Sequence, residues 1–167
     1  VKYFSLLRPI SEYQIAMLFS RFEKYHDVFR SCNKGSKTDI WCAHCPKCLF
    51  VFLIMSPFIA HERLSEIFGD DMTDNPEMLE DFKKLTGLLP EKPFECVGSR
   101  DEINFALCET IKSFKGRKLP YLFEFYKNSD LFAEYSEKEN PFLTYYNDNN
   151  LLEDKFGSIL KNALLGG

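Results

Sequence analysis

Arg30-Ser31-Cys32 and Trp41-Cys42-Ala43-His44-Cys45-Pro46-Lys47-Cys48 are the stretch on which the reading of this chain turns. Cys32, Cys42, Cys45 and Cys48 follow the spacing Cys-x9-Cys-x2-Cys-x2-Cys. Two-residue spacers let successive side chains turn toward one point, and four thiolates can surround a single Zn²⁺ tetrahedrally. Such a centre pins a loop that has little else to hold it. Four protein thiolates leave no coordination position for water, so the pattern points to a structural ion rather than a catalytic one. The competing reading is a set of buried thiols behaving as small hydrophobes. His44 lies between ligands and can replace one of them, although a solvent-facing or outer-sphere place suits it better.

With 167 residues the chain is long enough for one good core, and a single domain spanning 1–167 is expected. Hydrophobic residues make up 45% and charged residues 28%, a globular rather than a disordered composition. The 17 phenylalanines predict an aromatic-rich core with rings left to line a pocket or an interface. A formal net charge of −4 argues against a nucleic-acid surface built on bulk positive charge, although a local basic patch for phosphates remains compatible with it. Six cysteines, three of them at two-residue intervals, suit metal ligation in the reducing cytoplasm better than a secreted disulfide framework. The apolar run Cys48–Ala60 is 13 residues long and contains Pro57, too short for a helix to cross a bilayer of about 30 Å, so no membrane partner is expected. Val1-Lys2-Tyr3-Phe4-Ser5 carries no secretory pattern and no initiator Met, which points to a piece of a longer protein or a processed start.

Outward from the cysteines, the periodicity is helical throughout. Ser11-Glu12 opens a helix through Ile15, Leu18, Phe19 and Phe22 to about Tyr25. Asn33 to Lys37 reads as a loop, Pro46 starts a buried helix running to about Ala60, and His61 to Phe68 forms another. Pro76, capped by Asp74 or Asn75, begins a helix to Gly87. Ser99 and Glu102 make a capping-box pattern for a helix to about Phe114. Tyr121 to Lys127 and Leu151 to Leu164 complete a helical tail over 115–167, with a polar break between them. The predicted class is mainly α, a helical domain with a cysteine loop over 30–48 and a second motif loop over 92–98.

That second loop, Lys92-Pro93-Phe94-Glu95-Cys96-Val97-Gly98, runs into the N-terminus of the Ser99 helix. Free N–H groups there favour an anion such as phosphate or carboxylate. Alternatively the segment is a plain connector, with Cys96 buried and Glu95 solvated. Asp70-Asp71-Met72-Thr73-Asp74 lacks the ligand alternation of a calcium loop and reads as a charged turn. No Gly-rich phosphate loop occurs in the chain.

Phe29-Arg30-Ser31-Cys32-Asn33, Trp41-Cys42-x-x-Cys45-Pro46-Lys47-Cys48, Lys92 to Gly98 and the opening Leu7-Arg8-Pro9-Ile10-Ser11-Glu12 together resemble the bacterial UDP-N-acetylmuramoyl-L-alanyl-L-glutamate epimerase of peptidoglycan synthesis. The resemblance covers roughly residues 4–111. It implies the C-terminal part of a larger α/β enzyme that inverts the terminal L-Glu of UDP-MurNAc-L-Ala-L-Glu to D-Glu while ATP is cleaved to AMP and pyrophosphate. It further implies structural Zn²⁺ on Cys32, Cys42, Cys45 and Cys48, with ATP and Mg²⁺ used by the full-length enzyme. The Ser-Gly-Gly-x-Asp-Ser type nucleotide loop is absent, so this part alone is expected to be inactive without an N-terminal ATP-binding region. Under that resemblance Cys96 is the candidate base, with Glu95 as its rival, and Lys92, Arg100 and Arg30 are candidate substrate-binding groups. The cysteine spacing is also similar to that of 7-cyano-7-deazaguanine synthase, a pyrophosphatase-loop ATP-using enzyme. A third reading is a non-enzymatic, zinc-stapled interaction module docking through exposed Phe surface.

Overall fold

The computed structural model describes residues 3–35, 37–91 and 98–166. Among them lie eight α-helices and no strand: α1 (Glu12–Ser20), α2 (Pro46–Met55), α3 (His61–Phe68), α4 (Leu79–Thr86), α5 (Arg100–Ser113), α6 (Tyr121–Lys127), α7 (Asp130–Ser136) and α8 (Asp154–Leu165). The mainly helical class is therefore the one observed.

α2 is the spine. Cys45 caps its start by accepting the Cys48 N–H, and Pro46 occupies the first turn, where its missing N–H costs nothing. Seven of its ten residues are buried, among them Leu49, Phe52 and Leu53. A helix apolar on every side demands neighbours on every side. α5 packs on it directly, α1 and α4 each touch both α2 and α5, and α3 folds back on α2. α7 covers the outer side of α5, while α8 rests on α1. α2 stops at Met55 rather than near Ala60, because Pro57 cannot donate to the helical ladder and restricts the residue before it. α1 likewise ends at Ser20, with only a single 3₁₀ turn at Glu23–Tyr25 beyond it.

Two capping boxes set the ends of the helices nearest the site. Ser11 and Gln14 close the first turn of α1, and Ser99 and Glu102 close that of α5. Glu102 does more than cap. One carboxylate oxygen accepts Ser99 N–H at 2.6 Å, and the other accepts the Tyr13 N–H of α1 at 3.1 Å, fastening the two helix starts together. Gly98 sits beneath this junction, where a Cβ would lie 2.7 Å from the Glu102 carboxylate and 3.2 Å from the Glu12 side chain.

A second polar contact crosses the core. His61 Nε2 lies 2.7 Å from Asp71 Oδ2, and the His61 ring meets Phe52, Phe114 and Phe123 edge-on. Burial works to raise the Asp71 carboxyl, but hydrogen bonds from His61 and Thr73 outweigh it and hold the group below its ordinary 3.8.

A core this dense makes two expectations. Leu53→Ala, at a fully buried site, should lower the unfolding free energy by about 2–5 kcal/mol, read from the urea midpoint. Leu151→Ala, at a side chain 99% exposed, should change it by less than about 0.5 kcal/mol. A carboxyl whose folded value lies below its unfolded one contributes stability above the unfolded value, and that stability is lost as pH falls through the folded value. The Tm gap between wild type and Asp71→Asn should therefore narrow as pH drops below about 4; a constant gap would deny the carboxylate this role.

Candidate metal centre

Among the described residues between Phe29 and Pro46 there is no α-helix, and the sulfurs give this stretch a centre. The Sγ atoms of Cys32, Cys42, Cys45 and Cys48 all lie within 4.8 Å of one another. Cys45 and Cys48 are 3.4 Å apart, and Cys42 and Cys48 are 3.7 Å apart. A tetrahedron with bonds of about 2.3 Å has sulfur–sulfur edges of about 3.8 Å, so the quartet lies close to the arrangement one tetrahedral ion needs. The separations are far beyond a disulfide bond of about 2.05 Å. This is the one such ligand cluster among the described residues, and Asp70 to Asp74 do not form another. His44 is exposed, outside the quartet.

The loop is shaped around those sulfurs. Gly35 N–H donates to Cys32 Sγ at 3.3 Å, and Cys48 N–H to Cys45 Sγ at 3.4 Å. Ala43 takes a left-handed backbone, φ 53°, which swings the chain between Cys42 and Cys45 back toward the centre. Gly35 leaves room for the return strand of the loop: a Cβ there would overlap the Ile40 carbonyl oxygen. Trp41 is buried behind the centre, stacked on Phe68 with centroids 4.4 Å apart and set edge-on to Phe29 at 5.2 Å. Three cysteines are nearly inaccessible and Cys42 is half-buried.

Without a cation the four thiols share protons unequally. Contact with the Cys48 thiol, together with the Cys48 N–H that donates to Cys45 Sγ, pulls Cys45 down to about 5, whereas Cys48 is pushed up by that same contact and by burial. Burial raises Cys42; it acts on Cys32 too, but the Gly35 and Cys42 N–H groups prevail and lower it. A bound divalent ion would end this competition, since each ligand must be a thiolate.

Of the other anticipated site residues, Arg30 and Arg100 are described, and neither belongs to this quartet. Arg30 Nη1 donates to the Phe29 carbonyl at 2.6 Å and Nε to the Asp39 carbonyl at 3.3 Å, which makes it a brace across the cysteine loop. Arg100 Nη2 donates to the carbonyls of Leu89 and Pro90 at 3.2 and 2.6 Å, and its stem packs under Gly87. Lys92, Glu95 and Cys96 lie outside the described residues. Gly98, the last residue of their segment, abuts Glu12 of α1. Cys108 is buried in the core, its thiol pushed up to about 11 by that burial, and takes no part in the centre.

A residue the sequence reading left aside is Glu12. It stands at one end of a groove of about 770 Å³ between α1 and α2 whose other end reaches Cys45. Its carboxyl lies above the ordinary value through desolvation and the nearby Glu102 carboxylate. Its only sequence signal was its place in Leu7 to Glu12, where it read as a helix opener.

Fold and centre together define a helical domain organised around a four-thiol cluster able to hold a metal ion. The family model described as the MurL C-terminal domain matches residues 28–140, and the chain belongs to that family. The match takes in all four cysteines; against the roughly 4–111 anticipated from motifs it begins later, at 28, and extends further, past Pro120 into α6 and α7. Three relatives bear the name UDP-N-acetyl-alpha-D-muramoyl-L-alanyl-L-glutamate epimerase. The chain is 47% identical to that of Salinispora tropica over 109 residues, 63% of this chain and 24% of the relative. It is 43% identical to that of a Micromonospora species over 122 residues, 71% of this chain and 27% of the relative. It is 38% identical to that of Xanthomonas oryzae pv. oryzae over 113 residues, 64% of this chain and 25% of the relative. The chain thus spans about a quarter of the length of these relatives. No solved structure matches it.

The geometry predicts that Gly35→Ala disrupts the cysteine loop while leaving the helices. Circular dichroism should stay helical, whereas the loop thiols should react with a disulfide reagent at least about tenfold faster as their burial is lost. Unchanged thiol reactivity would show that the Gly35–Ile40 approach is dispensable.

Proposed function

We propose that this chain is the metal-stapled C-terminal part of an ATP-dependent epimerase that converts the terminal L-Glu of UDP-MurNAc-L-Ala-L-Glu to D-Glu during peptidoglycan synthesis in the cytoplasm. The supporting observation is the family match over 28–140, which encloses the quartet Cys32, Cys42, Cys45 and Cys48. That quartet is proposed to hold structural Zn²⁺. All four positions are sulfur, so the ion supplies rigidity and no open site.

The α-proton of glutamate beside an ionised carboxylate is barely acidic. In the proposed reaction a carboxylate oxygen attacks the α-phosphorus of ATP and pyrophosphate leaves. The resulting acyl adenylate has lost the negative charge that opposed deprotonation. A base on one face then takes the α-proton, and an acid on the other face returns one, inverting the centre. Water finally cleaves the mixed anhydride and AMP departs. ATP and Mg²⁺ are taken to bind in the part that relatives carry beyond this chain, so the chain alone is proposed to be inactive.

Cys96 is proposed as the base, because a thiol close to a helix N-terminus is held toward its nucleophilic, deprotonated form; Glu95 is the alternative. Lys92 is proposed to receive substrate carboxylate or phosphate. Arg30 and Arg100 already spend donors on backbone carbonyls, so any hold they have on substrate comes from their remaining N–H groups.

The test follows deuterium entering the glutamate α-carbon when the intact epimerase turns over UDP-MurNAc-L-Ala-L-Glu and ATP in D₂O. Cys96→Ser should abolish exchange and spare AMP release; full activity would remove Cys96 from the mechanism. The protein purified without chelator should carry one zinc per chain. Cys32→Ala should lose that zinc and about 3 kcal/mol of stability, roughly 10 °C in Tm. Full stability without zinc would refute the structural role.

A further inference from the structure

The groove between α1 and α2 is apolar along its sides and charged at its ends. Ile15 and Phe19 form one wall and Phe50, Val51 and Ile54 the other, at the three- and four-residue spacing of two helix faces. The two helices run antiparallel. Tyr13 near the start of α1 meets Phe58 just past α2, with centroids 5.0 Å apart, and Phe19 near its end meets Phe29 at the cysteine loop, 4.9 Å apart. Glu12 therefore marks the end beside Met55, while Lys34 and Lys47 mark the end beside Cys45. Lys47 Nζ donates to the Asn33 side chain at 3.3 Å. Among the described residues neither Glu12 nor Lys34 has an ion-pair partner.

The walls follow the whole length of α2, about 15 Å at 1.5 Å per residue. Opposite charges a helix-length apart, with mostly apolar surface between them, match a rod rather than a compact ligand. A third helix laid along two neighbours is the usual completion of such a face.

We propose that this groove seats an amphipathic helix bearing a basic residue at its Glu12 end and an acidic residue at its Lys34 end. The helix comes from the portion of the epimerase polypeptide that relatives carry beyond this chain, so this assignment rests on the function proposed above. Seated there, it joins that portion to α2 and hence to the cysteine centre, which makes the quartet a fastener between two parts of one enzyme.

Two measurements test it, neither depending on turnover. Three fluorescent 17-residue helical peptides share one leucine stripe and, at two positions about ten residues or 15 Å apart, carry Lys then Glu, Lys at both, or Glu at both. The mixed peptide should bind this chain about fivefold tighter than the others, an ordinary margin for one well-placed charge pair. Glu12→Lys should transfer the preference to the peptide with Glu at both positions, and Val51→Arg should abolish binding with the Tm retained. Equal binding of all three peptides, or no binding, overturns the proposal. In the intact polypeptide, a photo-crosslinker at Val51 should capture a helical segment of the same molecule. Capture of a second copy, of a nucleotide, or of nothing overturns it equally, whether or not the enzyme proves to be an epimerase.

Discussion

Convergence of four sulfur atoms on one point is the constraint from which the rest of the site follows. The loop that carries them has little regular hydrogen bonding of its own, and fixing an irregular segment costs conformational entropy at every residue. N–H donors from Gly35 and Cys48, the left-handed turn at Ala43 and the ring stack of Trp41 on Phe68 bring the sulfurs near one another. They cannot by themselves settle which thiol keeps its proton, and Cys45 and Cys48 are driven in opposite directions by their mutual contact. A divalent ion held there would remove that conflict, because all four ligands are then thiolates.

From the centre the constraint passes into the fold through Cys45, which is at once a member of the quartet and the cap of α2. α2 meets α5, and the start of α5 is tied by Glu102 to the start of α1. The segment that ends at Gly98 enters α5 at this knot. Arg100 braces the chain just before that segment by holding the carbonyls of Leu89 and Pro90. The motif that the sequence singles out thus ends on the same frame as the cysteine loop, and one face of that frame is the charged-ended groove.

Local rules carried much of this architecture into the sequence. Ser99 and Glu102 announced α5, Pro46 announced α2, Gly87 closed α4, and the two-residue cysteine spacers announced the quartet. α7 went unseen because Asn128-Ser129-Asp130 reads as a polar break, whereas Ser129 is its cap and Phe132 and Tyr135 pack onto the core. Contacts between residues far apart in sequence left no trace. Glu102 with the Tyr13 N–H, His61 with Asp71 and the groove that turns Glu12 from helix opener into rim charge exist only once helices are packed.

X-ray absorption at the zinc edge, on protein purified without chelator, tests the central claim most directly. The account predicts a first shell of four sulfur scatterers at about 2.3 Å. A shell containing nitrogen or oxygen neighbours, or a zinc signal well below one ion per chain, would contradict it.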